Sequence, residues 1–123
     1  MPTDRTRVED VMSSPIEMIE PDASLVEAAR IMREKDINAL LVTTSEKGIV
    51  TSTDIIGAVA DEADLASLTV ADVMTEKVET VSPDLYMEEV AAMLTTYGIK
   101  HLPVFDDDYV GMISSSDVAA VLS

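Results

Sequence analysis

The chain repeats itself, and this limits what it can fold into more than any other feature. Val8 and Val70, Met12 and Met74, Pro21 and Pro83, Ile37 and Ile99, and Val42 and Val104 are each 62 positions apart. Gly48 and Gly111, and Asp54 and Asp117, are 63 apart, so one residue was gained or lost in the turn between these two groups. The copies span 7–61 and 70–122, with 62–69 as a linker. A unit of about sixty residues is too small to bury a comfortable core alone, so the two copies should pack into one pseudo-symmetric body.

Each copy reads helix, strand, helix, strand, strand, helix. Thr6 followed by Glu9 is a capping-box pattern for a short opening helix, and Thr69-Val70-Ala71-Asp72 repeats it. Extended pieces at 16–19 and 78–81 end at Pro-Asp, where a helix starts. In those helices Leu25, Ala28, Ala29 and Met32, and likewise Met87, Val90, Ala91 and Leu94, fall at i, i+3, i+4 and i+7, which makes each helix one-faced. Ser24 and Glu27 form a further capping box. The apolar runs 37–42 and 99–105 read as buried strands. A polar turn follows each, and then the stretch that recurs most closely: Gly48-Ile49-Val50-Thr51-Ser52-Thr53-Asp54 and Gly111-Met112-Ile113-Ser114-Ser115-Ser116-Asp117.

In both copies that stretch is a strand ending in a hydroxyl residue, with Asp three positions on, where helices are expected from Asp54 and from Asp117. Amides and a hydroxyl at a helix N-terminus favour a phosphate, and the Asp can accept from a sugar diol. Ser, Thr and Asp are equally ordinary N-caps, so capping and ligand contact both remain open here, and one residue can do both.

Composition narrows the function classes. Twenty-four acidic residues against 8 basic ones give a formal charge of −16, a surface that repels nucleic acid and anionic lipid. The excess is not a tail: 14 acids and 6 bases lie in 1–69, and 10 and 2 in 70–123. Such a surface suits high salt, where screening relieves self-repulsion, and a halophilic source is the expectation. With no Cys there is no disulfide or thiolate chemistry, which fits a cytoplasmic protein. No apolar run reaches membrane-spanning length, and no basic, apolar leader opens the chain. One His, no triad order and no phosphate loop of the Gly-Lys-Ser kind leave an enzyme the least favoured class. The Asp106-Asp107-Asp108 turn lacks a supporting shell for a cation, and neither a metal nor a cofactor is expected.

The order V-x-D-V-M, Pro-Asp, amphipathic helix, Gly-Ile-x-His-Leu-Pro-Val, Gly-h-h-Ser-x-x-Asp, complete in the second copy and followed in outline by the first over 7–122, resembles a tandem pair of cystathionine-β-synthase-type (CBS) domains, a Bateman module. The resemblance implies an α/β fold: two repeats, each a small mixed β-sheet with flanking helices, packed about a pseudo-twofold axis. It also implies a regulatory sensor that binds an adenosine-containing ligand (AMP, ADP, ATP or S-adenosylmethionine) in clefts between the repeats. By position, one cleft would combine Thr51, Thr53 and Asp54 with Thr75, Val78, Ile99 and Lys100. The other would combine Ser114, Ser116 and Asp117 with Ser13, Ile16, Ile37 and Asn38.

Lys100, with His101 beside it, would then make the Thr51 cleft the better phosphate binder. The scarcity of basic residues favours AMP or a cationic adenosyl ligand over ATP. Leu41 stands where the second copy has Pro103, a departure inside the repeat. The resemblance further implies a homodimer through helices with apolar outer stripes, and an effector protein as partner. The alternative is a structural or protein-interaction module whose clefts have lost binding.

Overall fold

The computed structural model describes residues 5–122. In chain order the elements are α1 (Val8–Val11), β1 (Met18–Ile19), α2 (Leu25–Lys35), β2 (Ala39–Val42), β3 (Gly48–Thr51), α3 (Ser52–Ala60), α4 (Val70–Val73), β4 (Thr75–Glu76), α5 (Met87–Tyr97), β5 (His101–Phe105), β6 (Tyr109–Ser114) and α6 (Ser115–Leu122). They gather into two compact units. One is Glu17–Val78; the other, the composite unit, joins residues 5–16 to residues 79–122.

The Glu17–Val78 unit holds a four-stranded sheet ordered β1-β2-β3-β4, with β1 parallel to β2 and the other pairs antiparallel. All of β2 is buried, as its unbroken apolar run requires. Helix α2 turns Leu25, Ala28 and Met32 inward, onto a core that includes Leu40, Val42, Val50 and Val70. The Ser24 hydroxyl accepts from the Glu27 amide at 3.1 Å and so starts the helix. Asp36, at φ 54°, ends it in the left-handed region. Gly98 does the same for α5 at φ 66°. Glycine adopts that backbone without the strain a side chain brings, so Asp36→Gly should raise thermal stability by about 1 kcal/mol or less, a Tm gain of a few degrees in a melting scan.

The composite unit lays out the same four lanes with weaker edges. β5 and β6 pair antiparallel; Val81 bridges Val104 in parallel where β1 lies in the other unit, and Ser13 bridges Met112 where β4 lies. Pro103 helps to explain the thinner edge. The Leu41 amide donates to the Glu17 carbonyl at 3.0 Å, whereas the equivalent Pro103 has no N–H to give. The extra residue of the second copy is also accounted for. Val104 faces Gly111 but Phe105 faces Tyr109, so Val110 bulges out of the ladder. Val8, Val81, Met87, Val90, Leu94, Leu102, Val104 and Ile113 form the core.

The packed units are staggered against the sequence copies by one opening segment. Val8 and Glu9 donate to the Leu85 and Pro83 carbonyls, and Val70 and Ala71 donate to those of Ala23 and Pro21, every bond between 2.8 and 2.9 Å. Each opening helix therefore packs on the pattern of the other copy. Helix starts also differ from the sequence expectation. α3 and α6 begin at Ser52 and Ser115, two residues before the Asp, because Asp54 and Asp117 occupy the third helical position of a capping box. The opening helix is capped one position after the expected Thr6 and Glu9 and by half a box: the Arg7 amide donates to Asp10 Oδ2 at 2.9 Å, and the Arg7 side chain, a donor only, caps nothing. No described helix is long and apolar enough to cross a membrane.

Candidate functional site

In the Glu17–Val78 unit, β3 runs straight into α3, and Thr51 is both the last strand residue and the N-cap. Asp54 Oδ2 accepts from the Thr51 amide at 2.8 Å and from its hydroxyl at 3.1 Å, while the Asp54 amide donates to Thr51 Oγ1 at 3.4 Å. The Ser52 amide donates to the Asn38 carbonyl at 2.9 Å. Of the first three helical amides, those of Ser52 and Asp54 are thus engaged, which leaves the Thr53 N–H for water or a ligand. The antiparallel register puts Ala39 opposite Thr51, so Ile37 and Asn38 lie at the mouth of the same hairpin. Thr75 pairs with Ile49, and Val78 follows three residues on. Thr51, Thr53, Asp54, Thr75, Val78, Ile37 and Asn38 therefore belong to one unit.

The composite unit repeats this arrangement. Asp117 Oδ2 accepts from the Ser114 amide at 2.8 Å and hydroxyl at 2.9 Å, and the Ser115 amide donates to the Lys100 carbonyl at 2.9 Å. Ser116 holds the second helical position, as Thr53 does. His101 is directly opposite Ser114, and Ser13 and Met112 exchange two backbone bonds of 2.9 Å each. Ser13, Ile16, Ile99, Lys100, His101, Ser114, Ser116 and Asp117 share this unit.

The grouping differs from the one carried over by resemblance. Ile99, Lys100 and His101 were expected with Thr51, and Ile37 and Asn38 with Ser114. Hairpin pairing ties the strand-entry residues to the strand-exit residues of their own hairpin, which gathers them the other way. The scarce positive charge of this protein accordingly stands by Ser114 and Asp117, while Asn38 and Ala39 hold the matching places by Thr51.

His101 does not add to that charge at neutral pH. Burial holds its pKa below the ordinary 6.5; Asp117 opposes the shift and Lys100 reinforces it. The side chain is a neutral donor and acceptor beside the exposed ammonium of Lys100. The capping geometry alone does not mark a ligand site. Thr69 and Asp72 make the same two bonds, at 2.8 and 3.0 Å, at the start of the four-residue α4. What sets Thr51 and Ser114 apart is a hairpin strand feeding the helix, with the strand-entry residue tied to the first helical amide.

The glycines of the two motifs carry a role that sequence reasoning missed. A Cβ on Gly48 would lie 2.9 Å from the Thr75 carbonyl oxygen, and one on Gly111 2.7 Å from that of Ser13, with Met74 and Met12 sulfurs at 3.0 and 2.8 Å. They admit the opening segments to the hairpins. The signal was present as two glycines in matching places, but nothing local says which segment comes near.

The family model described as CBS domain matches residues 8–61 and 70–123. A homoserine O-acetyltransferase of Methanohalobium evestigatum is 35% identical over 122 residues, which make up 95% of this chain and 24% of that protein. The chain thus spans about a quarter of the length of that enzyme. The CBS domain pair of protein MJ0100, solved in complex with 5′-methylthioadenosine and S-adenosyl-L-methionine, is 31% identical and superposes with a TM-score of 0.85 over 97% of each chain. A hexameric CBS-CP12 protein from bloom-forming cyanobacteria is 28% identical, with a TM-score of 0.88 over 94% of this chain and 67% of that one. Family model, repeat and fold agree: the chain belongs to the CBS domain family, as a tandem pair of its repeats.

Proposed function

We propose that the chain is a regulatory module that binds an adenosine-containing ligand at each of its two strand-to-helix cradles. The observation that carries this is the duplicated hydroxyl-x-x-Asp, held in both units with one helical amide left over. In each cradle the spare amide at Thr53 or Ser116 and the nearby hydroxyls suit a phosphate or a sugar oxygen, and Asp54 or Asp117 has a second carboxylate oxygen for a ribose diol. Ile37 with Val78, and Ile99 with Ile16, supply apolar surface for a base. The adenosyl ligands of the MJ0100 pair support this ligand class. Where the relatives are enzymes, this chain matches only about a quarter of their length, which favours a regulatory role over a catalytic one.

A second reading, association with another protein surface, is favoured by the apolar residues that α3 leaves outside: Ile56 is 66% exposed and Val59 57%. We read this stripe as a homodimer contact that works alongside ligand binding.

Calorimetric titration with AMP, and separately with S-adenosylmethionine, tests the proposal. Two equivalents of one ligand should bind the unaltered chain, one equivalent Asp54→Ala or Asp117→Ala, and none the double variant. Each substitution also removes a cap, costing about 1 kcal/mol that a melt without ligand measures separately. Absence of binding, or binding untouched by either substitution, would move the assignment to the interaction module.

A further inference from the structure

Among the places where the two units differ, one concerns a matched pair of helix starts. In the Glu17–Val78 unit, Ser24 and Thr69 form an antiparallel bridge, and each hydroxyl serves its own helix start, through the Glu27 amide at 3.1 Å and Asp72 at 3.0 Å. The equivalent bridge of the composite unit joins Tyr86 and Arg7, and neither side chain makes a cap. They meet each other instead. The Arg7 Cζ lies 5.2 Å from the Tyr86 ring centroid, with its Nη2 3.4 Å from the phenol oxygen. The Arg5 Cζ lies 3.8 Å from the same centroid, and its guanidinium reaches Glu88 at 3.8 Å. Two of the 8 basic residues of the chain are thus spent on one ring.

The segment they hold runs through residues 14–16 into the Glu17–Val78 unit before the chain returns to residues 79–122. Its anchors on residues 79–122 are the buried Val8 with the half-buried Val11 and Met12 beside it, the Thr6 carbonyl that accepts from the Met87 amide at 3.0 Å, the amides of Val8 and Glu9, and the Ser13–Met112 pair. A segment this short can open locally without unfolding the rest.

We propose that Tyr86, gripped by Arg5 and Arg7, is a latch that sets how often residues 5–13 lift off the composite unit. Lifting withdraws Ser13 from the hairpin that ends at Ser114, so the latch gates that cradle. The gating consequence rests on the function proposed above; the latch itself does not.

Hydrogen exchange read amide by amide tests it, because the repeat supplies its own control. Val8 and Glu9 donate to Leu85 and Pro83 as Val70 and Ala71 donate to Ala23 and Pro21. Tyr86→Ser, which installs the residue found at the equivalent Ser24, should speed exchange at Val8, Glu9 and Ser13 about tenfold, the effect of losing two exposed cation–π contacts. Val70 and Ala71 should keep their protection. Tyr86→Phe, which keeps the ring, should stay near the unaltered rate. Unchanged exchange in Tyr86→Ser would overturn the latch, as would equal acceleration in Tyr86→Phe. If Tyr86→Ser instead loosens Val70 and Ala71 as well, Arg5→Gln combined with Arg7→Gln decides: acceleration confined to residues 8–13 upholds the latch, and anything else ends it.

Discussion

Gly111→Ala should lower stability by about 1–3 kcal/mol, the range for forcing extra atoms into a filled space, and melt the chain several degrees earlier. The added Cβ would meet the Ser13 carbonyl oxygen at 2.7 Å and both the sulfur and the Cγ of Met12, at 2.8 and 3.1 Å. The Met12 side chain can swing away, but the Ser13 carbonyl is held by the Met112 amide at 2.9 Å and cannot retreat without losing the bridge. Gly48→Ala should cost less, since its nearest backbone atom is 2.9 Å away. Gly57→Ala should do the opposite. That glycine lies inside α3 with nothing within 4 Å of the added atom, so the change trades a poor helix former for the best one and stabilises by about 1 kcal/mol. One substitution type at three sites, read in a single set of denaturant melts, separates close approach from helix propensity. Equal effects at Gly111 and Gly57 would contradict the packing described above.

Those glycines show where sequence reading succeeds and where it stops. The two-fold repeat, the one-faced helices and the strand-to-helix turns were legible because they depend on residues a few positions apart, whose spacing is itself the signal. Ser24 with Glu27, and Thr69 with Asp72, cap where their spacing placed them. The short opening helices were legible too, but not the partner each packs on. Val8 belongs with Met87 and Leu102, and Val70 with Leu25 and Leu40, choices set by burial across at least 78 residues of intervening chain in the first case and at least 29 in the second. The grouping of the cradle residues differs from the expectation for the opposite reason. The pairing of Ala39 with Thr51 and of His101 with Ser114 is local hairpin geometry, and two apolar runs joined by a short turn already imply it; positional analogy with a family overrode it. The extra residue of the second copy was visible as a change of offset, but only the ladder identifies it as Val110.

Lys100→Ala should weaken AMP binding at the Ser114 cradle about tenfold in low salt, the scale of one charge-assisted hydrogen bond, and leave the Thr51 cradle as it was. Lys100 is exposed, so the effect should shrink as ionic strength rises past about 0.15 M, where screening acts over roughly 8 Å. His101 should add a pH dependence whose sign differs between the free and the loaded protein. In the free protein burial depresses its pKa below 6.5, so as pH falls through 6.5 the unfolded chain takes up the proton first. The stability His101 contributes is therefore present above pH 6.5, and is lost on the way down to the folded pKa. A phosphate bound beside the ring favours the imidazolium, so the loaded protein takes up the proton that the free one resists, and binding tightens over the same interval. AMP has a phosphate that also titrates near pH 6, which acts on every variant alike. The contribution of His101 is then the difference between the unaltered chain and His101→Gln, titrated with AMP at pH 7.5 and 5.5. A steeper gain in affinity for the unaltered chain places the phosphate beside His101, whereas parallel lines place it elsewhere and leave Lys100 without an anion to hold.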